Sequence, residues 1–249
     1  MPVKATIPLQ KRLIWGFAKA TAFLVKDVPV FYVNRCLGPY IAETLALVSD
    51  GVEPAKLDKL MTKWGLPVVP ITLADEVGLE VAYHVNQTLS KALRVRMEGG
   101  DARLYEEMIG QGFLGKKFGK CFFVQPPKGK NKKKTVNADA MNLVKKFQKK
   151  DLKLSDEDFV IRLISRFVNE VVLCVQDDII ASPTEGDICG VFGIGFPPFI
   201  CGPFRNVDRI GSTQFTEMMQ RYADKYCEQF TPARYCKNIA KTNKKFHST

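Results

Sequence analysis

Histidine is almost absent from this chain, with only His84 and His247 among 249 residues. Neither has a serine, cysteine or carboxylate partner that spacing recommends, so hydrolytic dyads and triads have little to be built from. Paired cysteines are absent too. The seven cysteines (36, 121, 174, 189, 201, 227 and 236) are odd in number and include no CxxC. That pattern excludes a usual zinc site and predicts free thiols in a reducing compartment. No apolar run approaches the ~20 residues a membrane helix needs.

Acidic residues are missing before Asp27, whereas Lys4, Lys11, Arg12, Lys19 and Lys26 fall in that stretch. An acid-poor, basic start reads as a mitochondrial presequence or as a chain beginning partway through a longer protein. The scarcity of serine and the Phe-Leu-Val run at 23–25 favour the second. A phosphate loop is also missing. Gly190-Val-Phe-Gly-Ile-Gly195 has the glycines, but no strand precedes it and Pro197-Pro198 follow without amide donors. These glycines fit turns and close packing instead.

The net charge is +11, and most of it sits in one place. Between Gln125 and Lys153 ten lysines face only Asp139 and Asp151. The tract has neither arginine nor tyrosine, which argues against nucleic-acid reading. It is expected to be a solvated linker, with contact of Lys128–Lys150 with anionic membrane or an acidic partner as the alternative.

The remaining chain is rich in helical periodicity and almost devoid of strand patterns. With 46% apolar residues it can build one large core or two of roughly 100 residues each. Pro39 is expected in a first turn, with Leu37, Ile41, Leu45 and Val48 on one stripe until Asp50-Gly51. A helix is expected over 54–62, a long one over Leu73–Arg94, and a short one over 102–108. Two more are expected over 156–175 and 209–229. The chain also repeats itself. Glu43, Asp58, Gly65-Leu-Pro67, Asp75 and Gly78 line up in order with Glu170, Asp187, Gly195-Phe-Pro197, Asp208 and Gly211. The offset grows from 127 to 133. Two decayed copies of one helical unit are implied, expected to pack on each other with Pro39–Ser49 and Asp156–Val175 at the seam.

Asn34 and Arg35 interrupt the apolar stretch Phe31-Tyr-Val-Asn-Arg-Cys-Leu-Gly-Pro-Tyr40. From chemistry alone Asn34 either caps the first helix or faces a ligand. The stretch VKDVPVFYVNRCLGPYIAE resembles the start of the C-terminal domain of 3-hydroxyacyl-CoA dehydrogenases, V-K-D-x-P-G-F-x-x-N-R-x-x-x-P-x-x-x-E. The likeness continues through GVEPAKLDKLMTKWGLPVVPITLADEVGLEVAYHV, GFLGKKFGKCFF and RFVNEVVLCVQDDIIASPTEGDICGVFGIGFPPFICGPFRNVD to FTPARYCKNIA. It is most similar to the α-subunit type of the mitochondrial trifunctional enzyme of long-chain fatty-acid β-oxidation.

The resemblance implies an all-α fold with two tandem helical domains of the 6-phosphogluconate-dehydrogenase C-terminal type, joined by the lysine-rich linker. The expected division is 1–27 as the remnant of a nucleotide-binding domain or a presequence, 28–124 as the first domain, 125–154 as linker and 155–249 as the second domain. The resemblance also places Asn34, with Arg35 beside it, against the thioester of an acyl-CoA substrate. The family's hydride acceptor, NAD, and its histidine–glutamate base belong to a preceding nucleotide-binding domain. No cofactor, metal or complete catalytic set is therefore expected within these residues, and no turnover by the chain alone. A nucleotide-binding domain of the same enzyme and a thiolase β subunit are the implied partners, nucleic acid is not, and the location implied is the mitochondrial matrix or inner-membrane surface. Two positions depart from the family pattern: Val30 and Cys121 stand where glycine is usual.

Overall fold

A computed structural model describes residues 23–126, 134–148 and 154–247 of the chain. The fold is all-α, as expected, with one two-stranded ribbon. Helix α1 is Val33–Ser49, α2 Pro54–Trp64, α3 Pro70–Val77, α4 Leu79–Leu93 and α5 Ala102–Gly110. Strand β1 (Phe123–Val124) pairs antiparallel with β2 (Thr135–Val136), and α6 is Ala138–Lys145. The second half runs α7 Asp156–Gln176, α8 Pro183–Cys189, a π-turn at Gly190–Ile194, α9 Pro203–Ile210, α10 Ser212–Lys225 and α11 Arg234–Lys241. Proline at the start of α2, α3, α8 and α9 suits a first turn whose amides have no helical partner.

The matched positions of the two halves take the same structural jobs. Asp58 Oδ1 accepts the Ile71 amide at the start of α3 (2.9 Å), and Asp187 Oδ1 accepts the Phe204 amide at the start of α9 (2.7 Å). Asp75 accepts the amides of Phe122 and Phe123, and Asp208 those of Phe246 and His247, so each carboxylate clips down the end of its own half. Gly78 (φ 90°, ψ 140°) and Gly211 (φ 100°, ψ 126°) both adopt backbone open to glycine alone and end one helix as the next begins. The helices expected as continuous over 73–94 and 209–229 are each broken at that glycine. Apolar residues continue in helical phase across the break, which hid it.

The later steps of the drift in the offset have a physical location. It is 129 at Asp58/Asp187 and 130 at Gly65/Gly195. The single extra residue is absorbed by the π-turn Gly190–Ile194, the usual effect of one insertion in a helix. The glycines that mimic a nucleotide loop thus form a bulged helix end. Three more residues form the 3₁₀ turn Pro198–Ile200 before α9 begins.

The long first helices, α1 and α7, pack antiparallel along the middle of the molecule and form the seam between the halves. Their apolar faces merge into one core, with Leu47, Val168, Val171 and Val172 essentially inaccessible. Cys36 and Cys174 meet there with sulfurs 3.9 Å apart.

Charge crosses the seam in both directions. Arg162 Nε and Arg166 Nη1 of α7 lie 2.5 and 2.9 Å from the carboxylate of Glu43 in α1, with all three side chains buried. In return Arg35 Nε of α1 lies 3.0 Å from Glu170 of α7, joined by Arg96 at 3.6 Å. Arg35 stands eight residues before Glu43, and Arg162 eight before Glu170. The antiparallel helices therefore exchange equivalent pairs. Burial pushes the Glu170 carboxyl up, against the pull of Arg96 and Arg35, and burial lowers the Arg166 guanidinium despite Glu43.

Three expectations change. Helix α1 starts at Val33, so Pro39 lies inside it and not in its first turn. The basic tract is not a plain linker. Its described part, 134–148, adds β2 to the ribbon and forms α6, which buries Ala140, Leu143 and Val144. The Lys134 ammonium sits 4.0 Å from the centre of the Phe123 ring. The rest of that tract, including Lys128, and the segment 1–22 lie outside the described residues. The described part of the segment expected as the remnant of a nucleotide-binding domain, 23–27, forms no strand, and the Lys26 amide bonds to the Ile179 carbonyl at 2.9 Å.

Candidate substrate-binding site

Asn34 is the second residue of α1, whose flanking residue Tyr32 makes no side-chain cap. The capping role is thereby overturned. The Asn34 side chain is exposed and borders a partly open apolar cavity of about 220 Å³ between α1, α3 and α4. Consecutive helical residues point about 100° apart. Arg35 accordingly turns the other way, into the seam, where Glu170 and Asp177 hold its guanidinium. The structure separates the two residues that the sequence placed side by side, and Arg35 does not face the cavity.

The cavity follows from small residues at three helix crossings. Gly38, Ala74 and Ala82 line it on α1, α3 and α4. A Cβ at Gly38 would lie 2.4 Å from Leu89 Cδ1 and 3.0 Å from Met97 Sδ, so glycine is what lets these side chains reach under α1. Leu89 and Met97 are buried and belong to a small separate cluster with Ala42 and Leu93. Val77 and Val81, also on the lining, remain about half exposed, at 45% and 53%. Asn34, Asn86 and Tyr105 are the polar side chains on the lining. The Tyr105 hydroxyl is buried without a hydrogen-bond partner among the described residues.

Just before α1 the backbone is tight. Val30 and Phe31 both have φ of 57°, a left-handed geometry that disfavours β-branched and bulky side chains. This is where the family pattern has glycine and this chain has valine. Cys121 at the other departure is fully buried, and burial with the neighbouring Asp75 raises its thiol well above the ordinary range.

Among the described residues no group of histidines, cysteines and carboxylates could hold a metal. His84 is exposed on α4. His247 lies between Asp187 (Nε2–Oδ2, 3.2 Å) and Asp208 (Nδ1–Oδ2, 3.0 Å) at the end of the second half, a cluster that sequence spacing did not suggest. Burial pushes the Asp187 carboxyl up to about 6 against the Phe204 amide and His247. No helix among the described residues is long and apolar enough to cross a membrane.

Comparison with known proteins agrees with this architecture. The chain is 39% identical over 212 residues to the fatty acid oxidation complex subunit alpha of Vibrio vulnificus, covering 85% of this chain and 29% of that protein. It is 35% identical over 229 residues to the subunit of the same name from Shewanella amazonensis, covering 91% and 31%. It therefore spans about three-tenths of the length of these relatives. Among solved structures, 3-hydroxybutyryl-CoA dehydrogenase from Escherichia coli shares the fold, with a TM-score of 0.70 at 17% identity over 93% of this chain and 63% of that one. The dehydrogenase part of multifunctional enzyme 1 from C. elegans gives 0.58 at 17% identity over 82% and 46%.

The relatives are bacterial proteins, from cells without mitochondria, and this overturns the mitochondrial location expected from the sequence. Residues 31–125 match the family model of the 3-hydroxyacyl-CoA dehydrogenase C-terminal domain, and that segment of the chain is a domain of this family.

Proposed function

We propose that this chain forms the substrate-facing part of an NAD-dependent 3-hydroxyacyl-CoA dehydrogenase of fatty-acid oxidation, with Asn34 set against the thioester of the acyl-CoA. The observation that carries this reading is the exposed Asn34 carboxamide at the edge of an apolar cavity, on the first turn of α1. A carboxamide N–H can donate to a thioester carbonyl and fix its direction, while the apolar lining suits the acyl portion. Arg35 contributes indirectly, by holding the start of α1 to Glu170.

When bound on a nucleotide-binding domain, NAD would accept the hydride from the 3-hydroxyl carbon. The 249 residues of this chain include no phosphate loop for it and no histidine–glutamate base, so their part is to bind and orient. The names of the relatives support assembly in a fatty-acid oxidation complex, with a thiolase β subunit as the proposed partner.

The test joins a nucleotide-binding domain from such a relative upstream of the described residues. NAD-linked oxidation of a 3-hydroxyacyl-CoA should appear in the fusion and be absent from the chain alone. Asn34→Ala should lower the fusion's activity by roughly ten- to a thousand-fold, as loss of an oriented donor does. Full activity in that variant would remove Asn34 from the site.

A further inference from the structure

We propose that His247, with Asp187 and Asp208, forms a proton-dependent latch that ties the segment 244–247 to α8 and α9. The ring stands between the two carboxylates. Its Nε2 lies 3.2 Å from Asp187 Oδ2 and its Nδ1 3.0 Å from Asp208 Oδ2, and the three side chains are 8%, 6% and 7% exposed. An ionised carboxylate only accepts, whereas a neutral imidazole has one N–H and one bare nitrogen. A neutral ring therefore serves one carboxylate and turns a lone pair on the other. One further proton, on the ring or on Asp187, gives every facing pair a donor. The need for it is visible in the geometry. The Nδ1 contact has hydrogen-bond geometry, whereas Asp187 Oδ2 is buried without a completed hydrogen bond. Burial, which pushes the Asp187 carboxyl up to about 6, favours keeping that proton.

The latch holds more than one side chain. Asp208 also accepts the Phe246 and His247 amides, at 2.7 and 3.1 Å, and Ser212 Oγ donates to the Lys244 carbonyl at 3.2 Å. The Phe246 ring lies edge-on to Phe204 and Tyr235, with centres 5.0 and 5.2 Å apart. Opening the latch uncovers Phe204, which is fully buried when it is closed. The other charged or titratable groups around the three are Arg205 on α9, which faces Asp187, Cys236 on α11, which faces Asp208, and the exposed Lys244 and Lys245 of the segment itself. Arginine and lysine keep their charge between pH 5 and 8, and burial pushes the Cys236 thiol up, away from that range. Histidine is the side chain that ordinarily changes charge there.

The first half closes its corresponding end without a titratable ring. Asp75 takes the amides of Phe122 and Phe123 as Asp208 takes those of Phe246 and His247, so Phe123 occupies the place of His247. The cation there is Lys134, 4.0 Å from the centre of the Phe123 ring and 3.6 Å from Asp58 Oδ2. Asp58 Oδ2 also receives the Thr72 amide and hydroxyl, whereas Asp187 Oδ2 depends on the ring. A lysine stays charged throughout the range in which a histidine titrates, so only the second half has an end that a proton can open.

The experiment follows amide hydrogen exchange in the whole chain by NMR at about pH 5.5 and about pH 7.5, with each rate divided by the unprotected rate at that pH. The latch is closed below about 6 and loosens as pH rises through that value. Protection of the Phe246 and His247 amides should therefore fall roughly ten- to a hundred-fold at the higher pH, as loss of one charge-assisted hydrogen bond implies. Asp187→Asn should keep the protection at both pH values, because a carboxamide can donate to the bare ring nitrogen and still accept the Phe204 amide. His247→Phe should give the low protection of the Phe246 amide at both. Asp187→Asn carries the test if His247→Phe does not fold. Equal protection at the two pH values in the unchanged chain overturns the latch, as does a fall that persists in Asp187→Asn or high protection in His247→Phe. A fall of the same size at the Val171 amide on the seam also overturns it, since the loosening is then global.

Discussion

The two halves of this molecule share a backbone plan and differ in what they do with its interior. Residues 33–124 and 156–247 use the same carboxylates to start the same helices and the same glycines to break them. Yet one leaves a cavity between its first, third and fourth helices, and the other has buried Phe215 and Met219 at the positions that match Ala82 and Asn86 on that cavity's lining. The electrostatics differ in the same uneven way. Glu43 takes two buried arginines, whereas Glu170 shares partly exposed Arg96, and Arg35, with Asp177. Backbone-satisfying interactions admit few alternatives, so both copies retain them. Side-chain volume can change freely as long as each core stays filled or the gap is put to use.

The seam offers the sharpest way to break this comparison. Glu43→Ala leaves the buried Arg166 guanidinium without an ion-pair partner and Arg162 with only Asp50, at 3.8 Å, and should cost about 4 kcal/mol in urea unfolding. Glu170→Ala should cost about half as much, because Asp177 lies 3.6 Å from Arg35 and 3.0 Å from Arg96. Equal losses would show that the two ends of the seam are energetically alike. Next in size, Phe215→Ala should destabilise by roughly 3 kcal/mol and create in the second half a void resembling that of the first. A loss under about 1 kcal/mol would mean the side chain does not fill that space in solution.

Smaller differences are expected at the paired glycines. Both have φ near +100°, so alanine strains either one. A Cβ at Gly78 would in addition meet the Leu114 carbonyl at 3.2 Å, while at Gly211 it meets only the Gln214 side chain, at 3.7 Å or more. Gly78→Ala should therefore lower stability by about 2 kcal/mol and Gly211→Ala by about 1. The reverse order in thermal melts would contradict the close approach at Leu114.

The last expected difference is a pH dependence that Asp187 brings to the second half. Asp187 titrates near 6 in the folded chain, against about 4 for an unperturbed aspartate. The folded state then holds a proton the unfolded state has released. The Asp187 contribution to stability should decline as pH rises from about 4 to about 6 and stay level above that. Asp187→Asn, which can keep the bond to the Phe204 amide, should remove this slope. The same slope persisting in the variant would assign it to other groups.

Much of this was legible in the residues, and the parts that were not have identifiable causes. The five matched positions announced a duplicated plan because carboxylates that receive amides and glycines that turn the chain cannot be exchanged cheaply. Each break in the helices was hidden by valine and leucine spacing that ran through Gly78 without a change of phase. Helix α6 was hidden by charge, since Ala140, Leu143 and Val144 are outnumbered by the lysines around them. Asn34 was found at the cavity edge, whereas Arg35 was placed with it only because the two are adjacent. Helical geometry alone separates neighbours in sequence, and the matching arginine eight residues before Glu170 was the available signal for the seam. The cavity had no sequence signature, because Gly38 and Ala82 are ordinary residues until the helices cross.

The crossed arginine–glutamate pairs also bear on how the chain is born. Glu43 must wait for Arg162, 119 positions later, before its charge is neutralised. At roughly 5–20 residues per second of synthesis, that interval is on the order of ten seconds. During it, α1 has been made and its main partner helix has not, so the nascent first half carries an apolar face and a carboxylate that nothing yet covers. Loop closure over such a separation is slow relative to helix formation. The seam is thus a late event of folding, and the first half emerges from the ribosome as a client for whatever shields unfinished surfaces in the cell.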